Sequence, residues 1–206
     1  MGLDMYLNKS VSRYRKADGT YSTNMNDCKF DKFGRSNSVE FKTQAAYWRK
    51  CNQIHRWFVE NVQSGNDDCR EYDVELDQLK SLRELCMSIL QAVDGQVVRV
   101  PKSKLEEFEK NNGKYGDKLP VFMKIDASNL DSIQGSCYHV LSKKQREVCE
   151  SKLPTVSGFF FGSTEFDMWY VYELATTVMM LDELLADYEK EKANGAWVHY
   201  TYQASW

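Results

Sequence analysis

Both ends of this chain carry the same pattern. "GLDMYL" sets Leu3, Met5 and Leu7 against Asp4, and the closing "AWVHYTYQASW" alternates in the same way. A period of two is the mark of a strand with one buried face. Two terminal strands, each with an apolar face to hide, are expected to lie in one sheet. The 206 residues between and including them then form a single domain, 1–206, of the α+β class.

The segments between these ends read mostly as helices. Residues 8–38 are polar and rich in turn signals ("ADGT", "KFGRSNS"), which predicts a loop or irregular hairpin. A first helix is expected from about Ser38 to about Val62, stopped by "SGNDD". A second follows Asp73 as its cap, with Leu76, Leu79, Leu82, Cys86 and Ile89 at helical spacing. Residues 95–150 hold their own strands ("VVRV", "PVFMKI") and short helices ("SKLEEFEK", "SKKQREVCE"), as an inserted α/β subdomain would. The last long helix is expected from about Thr164 to Lys192.

"LPTVSGFFFGSTEFDMWY" links these parts. Read as a strand, "GFFFG" sends Phe159 and Phe161 to one face and Phe160 to the other, which requires cover on both faces. The expected architecture is therefore a mixed sheet of the N-terminal, "GFFFG" and C-terminal strands, packed against three main helices. After the glycine, Ser163 and Thr164 offer capping oxygens, and Thr164 and Asp167 have capping-box spacing.

Composition excludes some functions. Of the last 54 residues, only Lys190 and Lys192 are basic, against eight acids, so no nucleic-acid surface is expected there. No apolar run reaches the roughly 18 residues a membrane helix needs. The opening lacks the basic and apolar regions of a secretory leader, and Tyr6 breaks the myristoylation pattern after Gly2. The six cysteines form no CxxC pair and read as reduced thiols.

Four motifs in order, "MGLDMYL", "AYWRKCNQIHRWFV", "LPTVSGFFFGSTEFDMWY" and "YQASW", resemble a family of small proteins encoded by bacteriophages and prophages. The resemblance spans about two thirds of the chain and makes residues 95–150 an elaboration. It implies a setting, the host cytoplasm, and no particular activity.

Candidate site residues lie in the two central motifs. On a helical wheel Asn52 and His55 fall within the apolar half of the first helix, beside Trp48 and Cys51. Buried polar groups require partners. The pair either bonds backbone and carboxylate groups inside the fold or lines a pocket, with His55 as acid, base or anchor. Glu173 is a candidate partner for His55. The strand–glycine–helix junction at Ser163, Thr164, Glu165 and Asp167 could hold an anion at its free N–H groups. Its acids could instead cap the helix or recognise a cationic or hydroxyl-rich group. Cys51 and His55 share an i, i+4 spacing, but no second pair completes a metal site, and no metal or cofactor is expected.

The expected function is binding. A pocket where "STEFD" meets Trp48, Asn52 and His55 would take a small metabolite or nucleotide, or the protein would block a host protein. The alternative is a small hydrolase or transferase with His55 as general base and Glu165 or Asp167 assisting. The chain has no GxSxG elbow. Homo-oligomerisation stays open.

Overall fold

The structure is a computed structural model that describes residues 2–93 and 141–206, with the backbone of strands 96–99, 122–124 and 137–138. The terminal strands meet as expected. Strand β1 (Asp4–Arg15) pairs antiparallel with the last strand, β8 (Val198–Ser205), from Asp4↔Ser205 to Val11↔Val198. Met5 and Leu7 of β1 and Tyr200, Tyr202 and Ala204 of β8 point into the core at the predicted period of two.

The other side of β1 holds a departure from the sequence reading. Residues 38–49 are a strand, β3 (Ser38–Arg49), paired antiparallel with β1 from Asp4↔Arg49 to Tyr14↔Ser38. The spacing of Phe41, Ala45 and Trp48 fits a helix, but the stretch is also rich in β-branched and aromatic residues. Pairing along β1 decides the matter: Ala46 and Trp48 enter the core while Tyr47 faces out. A register irregularity opposite Leu7 and Asn8 absorbs one extra residue, Ala45. Lys50 turns the chain at φ 59°, its N–H bonded to the Leu3 carbonyl (2.8 Å), and helix α1 (Asn52–Asn61) begins only then.

Short strands β2 (Tyr21–Ser22) and β4 (Tyr72–Val74) complete a five-stranded sheet, with β2 on β1 and β4 on β8. Every pairing in it is antiparallel, so the sheet is not mixed, and "GFFFG" is not one of its strands. Residues 158–161 form a turn closed by Phe161 N–H on the Gly158 carbonyl (3.3 Å), with φ 60° at Phe160. Phe159 and Phe160 are 79% and 54% exposed, and only Phe161 (5%) is buried. The expectation that all three rings lie inside fails for a local reason. Gly162 at φ 98° lies so close to Lys50 that an added Cβ would stand 2.6 Å from its carbonyl oxygen. That bend delivers one ring to the core and leaves two outside.

Helices cover the other face of the core. In α2 (Leu76–Ala92) Leu79, Leu82, Cys86 and Ile89 of the predicted stripe are fully buried and Leu76, at its start, is half-buried, each fully buried large apolar side chain contributing about 1.5–3 kcal/mol. Its cap is Glu75, whose N–H donates to Gln78 Oε1 (2.8 Å); Asp73, the predicted cap, sits in β4. Helix α3 (Lys143–Lys152), the short helix expected at "SKKQREVCE", starts on a Ser142–Gln145 capping box and buries Cys149 in the same core. Helix α4 (Met168–Ala193) packs Tyr170, Val171, Leu174 and Leu181 inward and is tied to α2 by Arg83 and Asp182 (2.5 Å). Strands β5 (Gln96–Arg99), β6 (Phe122–Lys124) and β7 (Cys137–Tyr138) form a separate antiparallel sheet. Most of the predicted 95–150 subdomain, including its helix near Ser103, lies outside the described residues.

Candidate functional site

The first turn of α1 carries three polar side chains, Asn52, Gln53 and His55, and their surroundings differ. Asn52 is buried and fully answered. Its Nδ2 donates to the carbonyls of Phe161 (3.2 Å) and Ser163 (2.8 Å), and its Oδ1 accepts from Val156 N–H (3.0 Å). One side chain thus fastens the 156–163 loop to the helix. Buried amides left without such bonds cost about 1–3 kcal/mol.

His55 is 1% exposed. Nδ1 lies 2.8 Å from Tyr202 Oη and Nε2 lies 3.0 Å from Asp67 Oδ1. An ionised carboxylate only accepts, so Nε2–H donates to Asp67 and Nδ1 accepts from the tyrosine hydroxyl. Phe161 stands edge-on to the ring and Trp206 packs against it, both at 5.4 Å between centroids. Burial pushes the imidazole pKa down, and Asp67 opposes part of that shift. The partner is Asp67, twelve residues along the chain, rather than Glu173.

Gln53 points elsewhere, into a cleft with two lobes. The polar lobe, of about 280 Å³, is lined by residues that include Arg49, Lys50, Gln53, Ser163, Glu165 and Asp167. The aromatic lobe, of about 530 Å³, is walled by Tyr47, Trp48, Trp169, Tyr172 and Met180. Arg49, Trp169 and Glu173 line both. Volumes of this order suit small molecules, for which pockets run ~300–1,000 Å³.

Three chain segments converge here because the strand-to-helix bend at Lys50 and the bend at Gly162 lie against each other, above the start of α4. Asp167 is the N-cap of α4: its Oδ1 accepts from the N–H groups of Trp169 (2.9 Å) and Tyr170 (3.2 Å). The expected Thr164 cap is therefore displaced by three residues, and the N–H groups that would have held an anion are occupied. Burial raises the Asp167 pKa, although those same bonds oppose the rise.

Glu173 stands between the lobes. Its Oε2 accepts from Gln53 Nε2 (2.6 Å), and Cys51 also bonds to the carboxyl. Burial pushes this carboxyl up to about 7, against the lowering effect of those two donors. Among the described residues no Lys, Arg or His forms an ion pair with it. Arg49, its cationic neighbour on the lining, reaches toward Asp4 instead (3.9 Å).

Of the residues singled out from the sequence, Trp48, Ser163, Glu165 and Asp167 line the cleft. The Trp48 indole also donates to Thr177 Oγ1 (2.9 Å), which fixes the ring. Asn52 and His55 do not line it, and Thr164 offers only its carbonyl, to Thr155 Oγ1 (2.9 Å). Sequence reasoning missed Arg49, Gln53 and Trp169 as site residues and gave Glu173 the wrong role. The available signal was a single carboxylate inside the apolar run "MWYVYELA". Among the described residues no three His, Cys, Asp or Glu side chains gather as a metal group, and no helix is long and apolar enough to cross a membrane.

No protein-family model, curated protein or solved structure matches the chain.

Proposed function

We propose that the protein acts by binding a small molecule in the cleft between the β3–α1 junction, the 153–167 loop and the start of α4. One observation carries this reading: a half-buried carboxylate, Glu173, is shared by a polar lobe and an aromatic lobe. Pockets with apolar walls and a few convergent polar groups are the usual form of a ligand site. The resemblance to phage and prophage proteins supplies the setting, capture of a metabolite or nucleotide in a host cytoplasm.

A thermal-shift panel of host metabolites and nucleotides tests it. At least one compound is expected to raise the Tm of the native chain, with the shift lost in Trp169→Ala. A panel without a hit, or hits insensitive to Trp169, would remove the reading.

Capture of a host protein is a second reading, favoured by one observation. Phe159 and Phe160 stand edge to face at 4.3 Å on an exposed turn. A partner retained by the native chain and lost in the Phe159→Ser, Phe160→Ser double variant would support it. No observation favours a hydrolase or transferase with His55 as general base, since both ring nitrogens are engaged and the ring is enclosed.

A further inference from the structure

Resting on the cleft reading above, we infer that the ligand is an organic cation: an ammonium, methylated ammonium or amidinium group on an apolar body, with its charge held by Glu173. The first ground is what surrounds that carboxyl. Its bonded neighbours, Gln53 and Cys51, are neutral donors. An ionised group removed from water without an opposite charge is costly, and a cation entering the cleft would supply that charge.

The second ground is the wall. Tyr47, Trp48, Trp169 and Tyr172 bring four aromatic rings to one lobe, with Met180 beside them. Trp169 and Tyr172 meet edge to face at 5.8 Å, so they present differently oriented surfaces. Aromatic faces attract cations, and several around one site favour methylated or flat ones, whose hydration is weak. The third ground is exclusion. An anion would meet Glu165, Asp167 and Glu173, and the helix N–H groups that could offset them are bonded to Asp167. Lys50 lines only the polar lobe, and Arg49, which lines both, reaches toward Asp4, so the aromatic side of Glu173 is the better seat for positive charge.

Calorimetric titration at pH 8 with four probes that share a phenyl ring tests this: benzyltrimethylammonium, benzylamine, benzyl alcohol and benzoate. The two cations are expected to bind and the neutral and anionic probes to bind at least about tenfold more weakly. Glu173→Gln keeps a side chain that can bond Gln53 and is expected to weaken cation binding about tenfold. Trp169→Ala, at a partly exposed position, is expected to do so by a similar factor. Cation affinity is expected to fall as the pH drops below about 7, where Glu173 takes up a proton. The other titratable and charged groups on the linings around it are Glu165, Asp167, Arg49, Lys50, the Cys51 thiol and the phenols of Tyr47, Tyr170 and Tyr172.

Benzoate or benzyl alcohol binding as well as the cations, cations indifferent to Glu173→Gln, or no probe binding would each overturn the inference. The metabolite panel separates the two failures. A neutral or anionic hit that depends on Trp169 would keep the cleft as a binding site and refute only its cation preference.

Discussion

His55, buried, and Glu173, half-buried, are both ionisable groups set among aromatic rings, and the fold treats them in opposite ways. His55 has a partner on each nitrogen, one of them a carboxylate, and rings packed around it. Glu173 has neutral donors and an open cleft on both sides. A buried polar group that is fully answered stabilises a fold, whereas one left short of counter-charge is a place for something else to bind. The histidine is therefore the structural member of the pair and the glutamate the functional one.

The largest expected effect falls on the closed side. His55→Leu strands the buried Tyr202 hydroxyl and removes the Asp67 bond, for a loss of about 3–5 kcal/mol in urea unfolding. Tyr202→Phe costs less, and the double variant should fall short of the sum because the two share one bond. A loss below about 1 kcal/mol for His55→Leu would break the comparison. Next comes the bend that joins the two regions. Gly162→Ala places a Cβ against the Lys50 carbonyl at a positive φ, at a cost of about 2 kcal/mol by the same measurement.

The pH dependence of stability sharpens the contrast, since the two groups act with opposite sign. Glu173 is raised in the folded state, from 4.5 to about 7. The folded chain then holds its proton where the unfolded chain has released it, so this contribution is full below pH 4.5 and is lost as pH rises to 7. His55 is lowered from 6.5, so its contribution is present above that value and is lost as pH falls through its folded pKa. Glu173→Gln is expected to remove a decline on the order of 2 kcal/mol between pH 4.5 and 7, read from denaturation midpoints across that range. An unchanged pH profile would deny that the carboxyl is buried without a counter-charge. The smallest effect is at the exposed turn. Phe160→Gly relieves a positive φ and should raise stability by about 0.5 kcal/mol in urea unfolding.

What the sequence disclosed follows the same division. The terminal strands, the α2 stripe and the short helix α3 were legible because each depends on neighbours a few residues away. Residues 38–49 were not, since Phe41, Ala45 and Trp48 satisfy a helical period as well as a strand's, and only the pairing with β1 separates the two. "GFFFG" fails for a related reason. A run of three aromatics is a good strand in isolation, but Asn52 holds the adjoining loop and the glycines bend it. Within the site, Ser163, Glu165 and Asp167 were visible as residue types next to a helix start, and Trp48 as an aromatic ring beside Asn52 and His55. The roles of His55 and Glu173 were not, because an apolar context marks a polar residue as buried without saying whether anything answers it.

Site-resolved NMR on the native chain, titrated with benzyltrimethylammonium at pH 8, tests the division most directly. The account predicts that the Trp169 indole and Gln53 side-chain amide signals move with added cation while the His55 ring and Trp206 indole signals stay in place. Movement of the His55 and Trp206 signals with Trp169 and Gln53 unchanged would contradict it.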